Sequence, residues 1–390
     1  MEVKLTRDAL TTAAIFGSIT AANSHELESA LHDEPGDADG VIIDAKGLEY
    51  ISSAGLRVLL ALKKRCGGKT FRIINANDEV MNVFDVTGFS EIMDISKAKR
   101  NVSVENCVKI GAGACGEVFR LDDETIIKLY YPRISQEDIE REKDLAKKAF
   151  VMGVPTAISY DIVESDGRTG VVYELINSKT ISELIREDPE HIEKYAELYA
   201  DVCRSIHSIE AQPGALPDFK DINREDIPNV TGISDEERGY LYELLDLVPD
   251  RMSCIHGDLN INNIMVQNGE CCLIDMGEFS TGTPMFDLSR IVFSVVYAAN
   301  RTTDMNDFYK LPHAVMDKLF ELFIKDYFGT ETLEQAAAVN PDVEWLYPLA
   351  WFRCCTSFLK GNRWPESKRE LAIKLLHENF IPFIKEHRAR

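Results

Sequence analysis

One loop-like run, Ile255-His256-Gly257-Asp258-Leu259-Asn260-Ile261-Asn262-Asn263, constrains this chain more than any other segment. Asp258 and Asn263 lie five residues apart, and Asp275 follows twelve residues after Asn263. This spacing is typical of a loop followed by a short β-hairpin that ends in a second polar residue. Amide and carboxylate oxygens are the ligands that Mg²⁺ prefers. We therefore expect Asp258 to orient and deprotonate a hydroxyl group, and Asn263 and Asp275 to hold Mg²⁺.

A glycine-rich turn, Gly111-Ala112-Gly113-Ala114-Cys115-Gly116-Glu117-Val118, comes earlier in the chain. Strand-like sequence flanks it, and such a turn lets backbone N–H groups approach the phosphates of ATP. No long helix follows the turn, which argues against a dinucleotide-binding fold. The residues expected to contact ATP are Gly111, Gly113, Gly116 and Val118.

Lys128 lies twelve residues after Gly116, on the next strand-like segment. A lysine in this place reaches the α- and β-phosphates when a carboxylate holds its ammonium group. Glu142, on the following helix, is the preferred partner, and Glu140 is the alternative, although it should face another side of that helix. Phosphoryl transfer needs positioning and charge neutralisation, and these residues supply both. The pieces together predict an ATP- and Mg²⁺-dependent kinase site with Asp258, Lys128 and Glu142 as its catalytic residues.

On the His256-Gly257-Asp258 motif, with Asn263 and Asp275 as the matching metal ligands, residues 103–390 resemble the aminoglycoside/choline-phosphotransferase-like kinases. The resemblance implies a bilobal protein-kinase-like (α+β) fold with a largely helical C-lobe. It also implies that Asp287 braces the catalytic loop, and that His256 packs that loop.

The resemblance further implies a hinge at residues 172–176, whose backbone at Glu174 and Ile176 meets adenine. Two further features bear on this resemblance. The glycine-rich turn is closer to that of protein kinases than to that of many family members. No APE-like segment follows Asp275, which argues against a protein kinase.

The first 100 residues alternate short strands and helices, which predicts an α/β layer. The run VIIDAKGLEYISSAGL (residues 41–56) resembles the STAS fold of anti-sigma-factor antagonists. In that family a partner kinase phosphorylates a serine at this turn, so Ser53 is the candidate phosphosite and Ser52 the second. A phosphate is stabilised at a helix N-terminus and its charge can break an interface. The alternative is that the serines only cap the helix.

The STAS-like pattern gives way to the kinase-like pattern near Lys97–Asn101, and this change predicts the domain boundary. Residues 1–100 are expected to form a STAS-like regulatory domain with a protein partner, and residues 101–390 a phosphotransferase domain. Its N-lobe should cover about 103–178, including three strands between residues 103 and 131. Its C-lobe should cover about 179–390 and be mainly helical, interrupted by a short strand pair around residues 263–275.

Charge and apolar content limit the partners. The 390 residues carry 43 basic and 65 acidic side chains, a net charge of −22, which disfavours nucleic acid and suits a cationic substrate. No apolar run approaches the ~20 residues that span a membrane, and the N-terminus lacks a signal segment. The nine cysteines, with the adjacent pairs Cys271–Cys272 and Cys354–Cys355, fit neither zinc nor a disulfide framework. We therefore expect a cytoplasmic protein without a membrane partner.

Three functions fit these residues. The first is transfer of the γ-phosphate of ATP to a small-molecule hydroxyl, as in an amino sugar or amino alcohol, under control of the STAS domain. The second is a protein serine kinase acting on a STAS serine in cis or in trans, which the domain fusion favours. The third is a nucleotide-binding interaction module with little turnover, which the intact kinase residues disfavour. The sequence does not fix the acceptor, and most of the C-terminal acidic candidates should be solvated: Asp304, Asp307, Asp342 and Glu344.

Overall fold

The computed structural model describes residues 1–299, 305–306, 308–361 and 364–388, so the acceptor candidates Asp304 and Asp307 lie outside the described residues. The chain divides into two compact units, Met1–Val102 and Ser103–Arg390. All nine cysteines are free thiols. Within the described part of the chain, no helix is long and apolar enough to cross a lipid bilayer.

The N-terminal unit is built on one five-stranded sheet. Its strands lie side by side in chain order, the first pair antiparallel and the others parallel. They are β1 (Glu2–Arg7), β2 (Thr11–Ile19), β3 (Gly40–Ile51), β4 (Thr70–Ala76) and β5 (Asp94–Lys97). The helices are α1 (Ser24–Ala30), α2 (Ser53–Cys66), α3 (Asp78–Val86) and α4 (Phe89–Ile92), and a two-residue strand, β6 (Arg100–Asn101), follows. Apolar side chains of β3 and α2, such as Ile43 and Leu59, are fully buried and form the core. The expected α/β layer is confirmed.

The first part of the C-terminal unit is an antiparallel sheet with one helix. Its strands are β7 (Val108–Ala112), β8 (Gly116–Arg120), β9 (Thr125–Tyr130), β10 (Ser159–Ser165) and β11 (Arg168–Glu174), and its helix is α5 (Gln136–Val151). The three strands expected between residues 103 and 131 are therefore present. They lie in the order β10, β11, β9, β8, β7, so that β9 pairs with both β8 and β11. Lys128 on β9 is opposite Val118 on one side and Val171 on the other.

The remainder of the C-terminal unit is mainly helical, as expected. Its helices are α6 (Ile181–Glu187), α7 (Ile192–His207), α8 (Phe219–Asp226), α9 (Asp235–Leu247), α10 (Met285–Val292), α11 (His313–Phe328), α12 (Leu333–Val339), α13 (Leu346–Phe358), α14 (Glu366–Leu375) and α15 (Ile381–Arg388). Short 3₁₀ helices cover Pro189–His191, Ile227–Asn229, Met276–Glu278 and Pro341–Trp345, and π-helical turns cover Phe293–Ala298 and Leu376–Phe380. Leu244, Phe358 and Phe380 are fully buried in the shared core.

Short strands interrupt these helices. They are β12 (Lys179–Thr180), β13 (Cys254–Ile255), β14 (Ile264–Gln267), β15 (Glu270–Leu273), β16 (Ser280–Thr281), β17 (Met305–Asn306) and β18 (Leu311–Pro312). The expected strand pair is the hairpin β14–β15, and the two exposed residues at its tip, Asn268 and Gly269, both have positive φ, at 53° and 85°. The structure thus has an α/β unit followed by a two-lobed α+β unit with a helical C-lobe, which confirms the expected fold class.

Candidate active site

The loop 256–263 runs from β13 to β14, and the hairpin β14–β15 leads on to Asp275. The backbone N–H of Ile274 donates to the carbonyl of Asn263 at 3.0 Å, which ties the two ends of the hairpin together. Asp275 adopts the left-handed conformation, with φ of 65°, at the start of a 3₁₀ turn. The hairpin therefore holds Asn263 and Asp275 beside each other, as a pair of oxygen ligands requires.

Asp287 on α10 braces this loop from inside the lobe. The side chain is fully buried, and its oxygens accept the backbone N–H groups of His256 and Gly257, each at 2.8 Å. Nε2 of His207 on α7 donates to the same carboxylate at 3.0 Å. Burial alone would raise the pKa of Asp287, but the hydrogen bond and charge of His207 and the N–H of His256 hold it below its ordinary value. A buried carboxylate with three donors fixes the path of the loop.

The loop has two further constraints. His256 is fully buried, and its ring Nε2 lies 3.0 Å from the carbonyl oxygen of Ile274, so this histidine packs the loop. Gly257 has a φ of 83°, and a Cβ there would lie 2.5 Å from Cβ of Glu278 and 2.7 Å from its carbonyl oxygen. Only glycine fits that position.

The carboxylate of Asp258 is partly exposed and held on one side. Its Oδ1 lies 2.5 Å from a guanidinium nitrogen of Arg290, on α10. Nδ2 of Asn263 donates to the backbone carbonyl of Asp258 at 2.9 Å and lies 3.4 Å from Oδ2. The structure thus brings Asp258 and Asn263 together, with Oδ1 buried against Arg290 and Oδ2 on the side of Asn263.

Lys128 on β9 contacts two carboxylates. Its Nζ lies 2.6 Å from Oε1 of Glu142, on α5, and 2.8 Å from Oδ1 of Asp275. Burial would lower the pKa of the Lys128 ammonium, but the charges of Asp275 and Glu142 raise it above its ordinary value. Glu140 instead accepts a hydrogen bond from Gln136 at 2.6 Å. Of the two carboxylates considered as partners for Lys128, Glu142 is the one in contact.

The pKa of Asp275 responds to the same contact. Removal from water acts to raise the pKa of this carboxyl, yet the charge and hydrogen bond of Lys128 hold it below its ordinary value. The side chain is half exposed. Asp275 is therefore a partly exposed carboxylate that favours its charged form.

The glycine-rich turn lies between β7 and β8. The N–H of Gly113 donates to the carbonyl of Gly116 at 2.9 Å and closes the turn. A Cβ on Gly116 would lie 2.5 Å from the carbonyl oxygen of Leu129, whereas one on Gly113 would meet nothing within 4 Å. Gly116 is thus required by the packing of β8 on β9, and Gly113 leaves open space above the turn.

The segment expected to meet adenine follows β11. The N–H of Glu174 donates to Ile158 at 2.9 Å, and that of Leu175 donates to Glu124 at 2.7 Å. These bonds fix the backbone up to Leu175, and Ile176 comes directly after them. Gly111 lies on β7 and Val118 on β8, so the residues expected to contact the nucleotide come from three neighbouring parts of the N-lobe.

Two arginines and one histidine that contact the catalytic loop or Asp287 were not predicted from the sequence to have a role. They are Arg290, which contacts Asp258, His207, which contacts Asp287, and Arg353, which donates to the carbonyl of Gly257 at 2.9 Å. Arg290 could have been found, because it lies one helical turn after the expected brace Asp287. Nothing in the sequence near His207 or Arg353 marks them, since their helices reach the loop only through tertiary packing.

Two of the acidic candidates for acceptor binding lie among the described residues, and of these Glu344 is exposed whereas Asp342 is buried. Arg251 donates to the two oxygens of Asp342 at 3.0 and 2.8 Å. Oε2 of Glu344 lies 3.3 Å from Nε2 of His387. Asp342 is therefore an exception to the expected solvation, and Arg251 and the hydroxyl of Thr283 compensate its burial.

In the N-terminal unit the two serines occupy different positions on α2. Ser52 is the N-cap, and its side-chain oxygen accepts from the N–H of Gly55 at 3.4 Å. Ser53 is the first helical residue and is exposed. The expected capping role therefore falls to Ser52, which leaves the hydroxyl of Ser53 accessible.

The donor set at Asn263 and Asp275 fits Mg²⁺, since this ion binds through one or two protein oxygens plus phosphates and water. Among the described residues, no group of three or more histidine, cysteine, aspartate or glutamate side chains could hold a metal ion. A Mg²⁺ ion held by Asn263 and Asp275 would take its other ligands from phosphate and water.

Two known families match separate parts of the chain. Residues 106–317, more than half of the chain, match the phosphotransferase enzyme family, and residues 3–103 match the STAS domain. A putative anti-sigma factor antagonist, BtrV, from Bordetella bronchiseptica is 30% identical over 95 residues, which cover 24% of this chain and 82% of that relative.

The chain is also similar to several solved structures, two of which are described next. The ADP-bound aminoglycoside phosphotransferase APH(2'')-Ib is 15% identical with a TM-score of 0.47, over 70% of this chain and 92% of that chain. A choline/ethanolamine kinase family protein from Mesorhizobium loti is 15% identical with a TM-score of 0.44, over 73% of this chain and 92% of that chain. From its family match over residues 106–317, the chain belongs to the phosphotransferase enzyme family and is a phosphotransferase with a STAS domain ahead of its catalytic domain.

Proposed function

We propose that the C-terminal unit transfers the γ-phosphate of ATP to a hydroxyl group of a small molecule. The observation that carries this proposal is that two sets of side-chain contacts occur in the same unit. One is Asp258 beside Asn263 on a braced loop, and the other is Lys128 between Glu142 and Asp275. The first suits activation of a hydroxyl, and the second suits binding of a triphosphate.

In this proposal the N-lobe binds the nucleotide. The open turn at Gly113 admits the phosphates close to backbone N–H groups, and Lys128 reaches the α- and β-phosphates while Glu142 holds it. The backbone at Glu174 and Ile176 receives adenine. Asn263 and Asp275 would hold Mg²⁺, which supplies charge neutralisation at the β- and γ-phosphates when bound.

Asp258 acts on the acceptor. The acceptor oxygen forms a bond to the γ-phosphorus while the bond from that phosphorus to the β–γ bridging oxygen breaks, and ADP leaves with that electron pair. The hydroxyl proton moves to Oδ2 of Asp258, the oxygen that Arg290 does not hold. The surplus of acidic side chains supports a cationic acceptor such as an amino sugar or amino alcohol.

The STAS domain is proposed to regulate this activity and to bind a protein partner. The exposed hydroxyl of Ser53 at the start of α2 also supports the second candidate, a serine kinase that acts on a STAS serine in cis or in trans. The absence of an APE-like segment from the sequence disfavours that candidate. The contacts of Lys128 with Glu142 and Asp275, and of Asn263 with Asp258, argue against an interaction module with little turnover.

The test is incubation of the purified full chain with γ-labelled ATP and Mg²⁺, with and without a panel of amino sugars and amino alcohols. We expect label on a small molecule, and Asp258→Asn should lower turnover by ~100-fold or more, as loss of a general base does. Calorimetry should find Mg·ATP binding nearly intact in that variant. Label on the protein alone would favour the serine-kinase candidate, and binding without transfer by the wild type would favour the interaction module.

A further inference from the structure

Helix α10 contacts the catalytic loop at two levels. Asp287 accepts the backbone N–H groups of His256 and Gly257. Arg290 follows three residues later, on the same face of the helix, and contacts the side chain of Asp258. One helical turn thus determines both the path of the loop and the orientation of its carboxylate.

Arg290 is itself well fixed. Its side chain is only 19% exposed, and its guanidinium carbon lies 5.5 Å from the ring centre of Phe293. The hydroxyl of Ser294 donates to its backbone carbonyl at 2.9 Å, where α10 passes into the π-helical turn Phe293–Ala298. Such π-helical turns often occur at functional sites.

The carboxylate needs such an anchor. The torsion that turns an aspartate carboxylate is broad, so a free carboxylate samples many orientations. The contact of 2.5 Å between Oδ1 and a guanidinium nitrogen of Arg290 is a close ion pair between two largely buried side chains. Because Asn263 also holds the backbone carbonyl of Asp258, the position and the rotation of the carboxylate are both determined.

We propose that Arg290 is a positioning residue that holds Oδ1 of Asp258 so that Oδ2 faces the acceptor hydroxyl. The proposal rests on the role of Asp258 in the proposed function. Arg353 offers a contrast, because its hydrogen bond goes to the backbone carbonyl of Gly257, although its charge also acts on Asp258 and Glu278. Arg290 instead contacts the side chain of Asp258 itself.

The experiment compares Arg290→Met, Arg290→Lys and the double variant Arg290→Met/Asp258→Asn. Arg238→Met is the matched control, since Arg238 is 24% exposed and pairs with Asp235 on α9, in the same lobe. Turnover is measured with the acceptor that the panel yields and, in its absence, as slow Mg·ATP hydrolysis. Binding of Mg²⁺ with a non-hydrolysable ATP analogue is measured by calorimetry.

We expect Arg290→Met to lower kcat by ~10- to 100-fold, the loss that a misplaced reacting group causes, with unchanged affinity for the analogue. Arg290→Lys should restore most of the lost rate, because it returns a cation to the same position. In the Asp258→Asn background, Arg290→Met should cost no further rate. Arg238→Met should behave as the wild type does.

Two results would overturn the proposal. One is an equal loss of rate from Arg290→Met with and without Asp258→Asn. The other is a loss of nucleotide affinity and thermal stability that lysine does not restore, because both would indicate a purely structural role. If the wild type transfers phosphate to no acceptor and to no water, the proposed function fails, and the pair is then judged by thermal unfolding. Additive changes in Tm for the two single variants would overturn the pairing, and non-additive changes would support it.

Discussion

The ammonium group of Lys128 lies 2.8 Å from Oδ1 of Asp275, although 147 residues separate the two in the chain. Lys128 also contacts Glu142 at 2.6 Å, so one cation is shared by two carboxylates. In the proposed nucleotide complex Asp275 would contact Mg²⁺ and Lys128 the phosphates. The Lys128–Asp275 contact would then compete with both of these proposed interactions.

Asp275→Asn should act in opposite directions on the two forms of ATP. Affinity for Mg·ATP should fall by ~10-fold or more, which corresponds to about 1.4 kcal/mol, because the metal loses a charged ligand. Affinity for metal-free ATP should hold or rise, because Lys128 is freed for the phosphates. Calorimetry with Mg²⁺ and with a chelator measures both, and Asp144→Asn on the exposed side of α5 is the control. Unchanged Mg·ATP affinity would contradict the metal assignment.

Gly116→Ala and Gly113→Ala form a matched pair in the glycine-rich turn. The first places a methyl group 2.5 Å from the carbonyl oxygen of Leu129 and should destabilise the lobe by about 1–3 kcal/mol, as overpacking does. The second meets open space and should leave the free energy of unfolding unchanged while weakening ATP binding. Urea unfolding and calorimetry separate these effects. Equal destabilisation by the two variants would show that the turn does not pack as described.

Asp287→Asn should change how stability depends on pH. The pKa of Asp287 is lower in the folded protein, so its stabilising effect is complete above the unfolded value of about 3.9 and is lost as pH falls through the folded value. At pH 7 the variant should lose about 3 kcal/mol of unfolding free energy, because a buried charged group loses its partners. Below pH 4 the difference from the wild type should shrink. All three tryptophans lie in the C-terminal unit, so their fluorescence reports its unfolding. A pH-independent difference would exclude this linkage.

Replacing Ser52 and replacing Ser53 should change the stability of the N-terminal unit by different amounts. Ser52→Ala removes the cap of α2 and should cost about 1 kcal/mol, whereas Ser53→Ala should be close to neutral because Ser53 is exposed. Scanning calorimetry of the N-terminal transition measures both. A larger loss from Ser53→Ala would reverse the assignment of the cap.

The same two serines should also differ in how readily they are phosphorylated. Incubation of the full chain with Mg·ATP should give slow phosphorylation on Ser53, whose hydroxyl is accessible, with Ser52 as the lesser site, and the added charge at the start of α2 should alter partner binding. Intact-mass and peptide spectrometry would locate the phosphate, and Asp258→Asn should abolish it. An unmodified serine pair, in protein that phosphorylates another acceptor, would leave the STAS domain as a docking module.

The sequence predicted those features that depend on residues close together in the chain, and it did not predict those that depend on distant residues. Asp258 and Asn263 belong to one loop, and Asp275 follows one hairpin later, so local spacing was enough to place them together. The strands around Lys128 were predictable for the same reason. Arg353 and Asp342 were not, because their roles arise from the packing of α13 and the preceding 3₁₀ turn against distant segments. Arg290 is intermediate, since the helical repeat relates it to Asp287.

The tip of the β14–β15 hairpin is a suitable site for attaching a label to this protein. Asn268 and Gly269 are exposed, and their positive φ angles close a tight turn whose two arms lead to Asn263 and Asp275. A fluorophore or a spin label attached through the variant Asn268→Cys would lie on the hairpin whose two arms lead to both proposed metal ligands. The position is therefore suited to an optical or magnetic reporter of nucleotide occupancy that needs no knowledge of the acceptor.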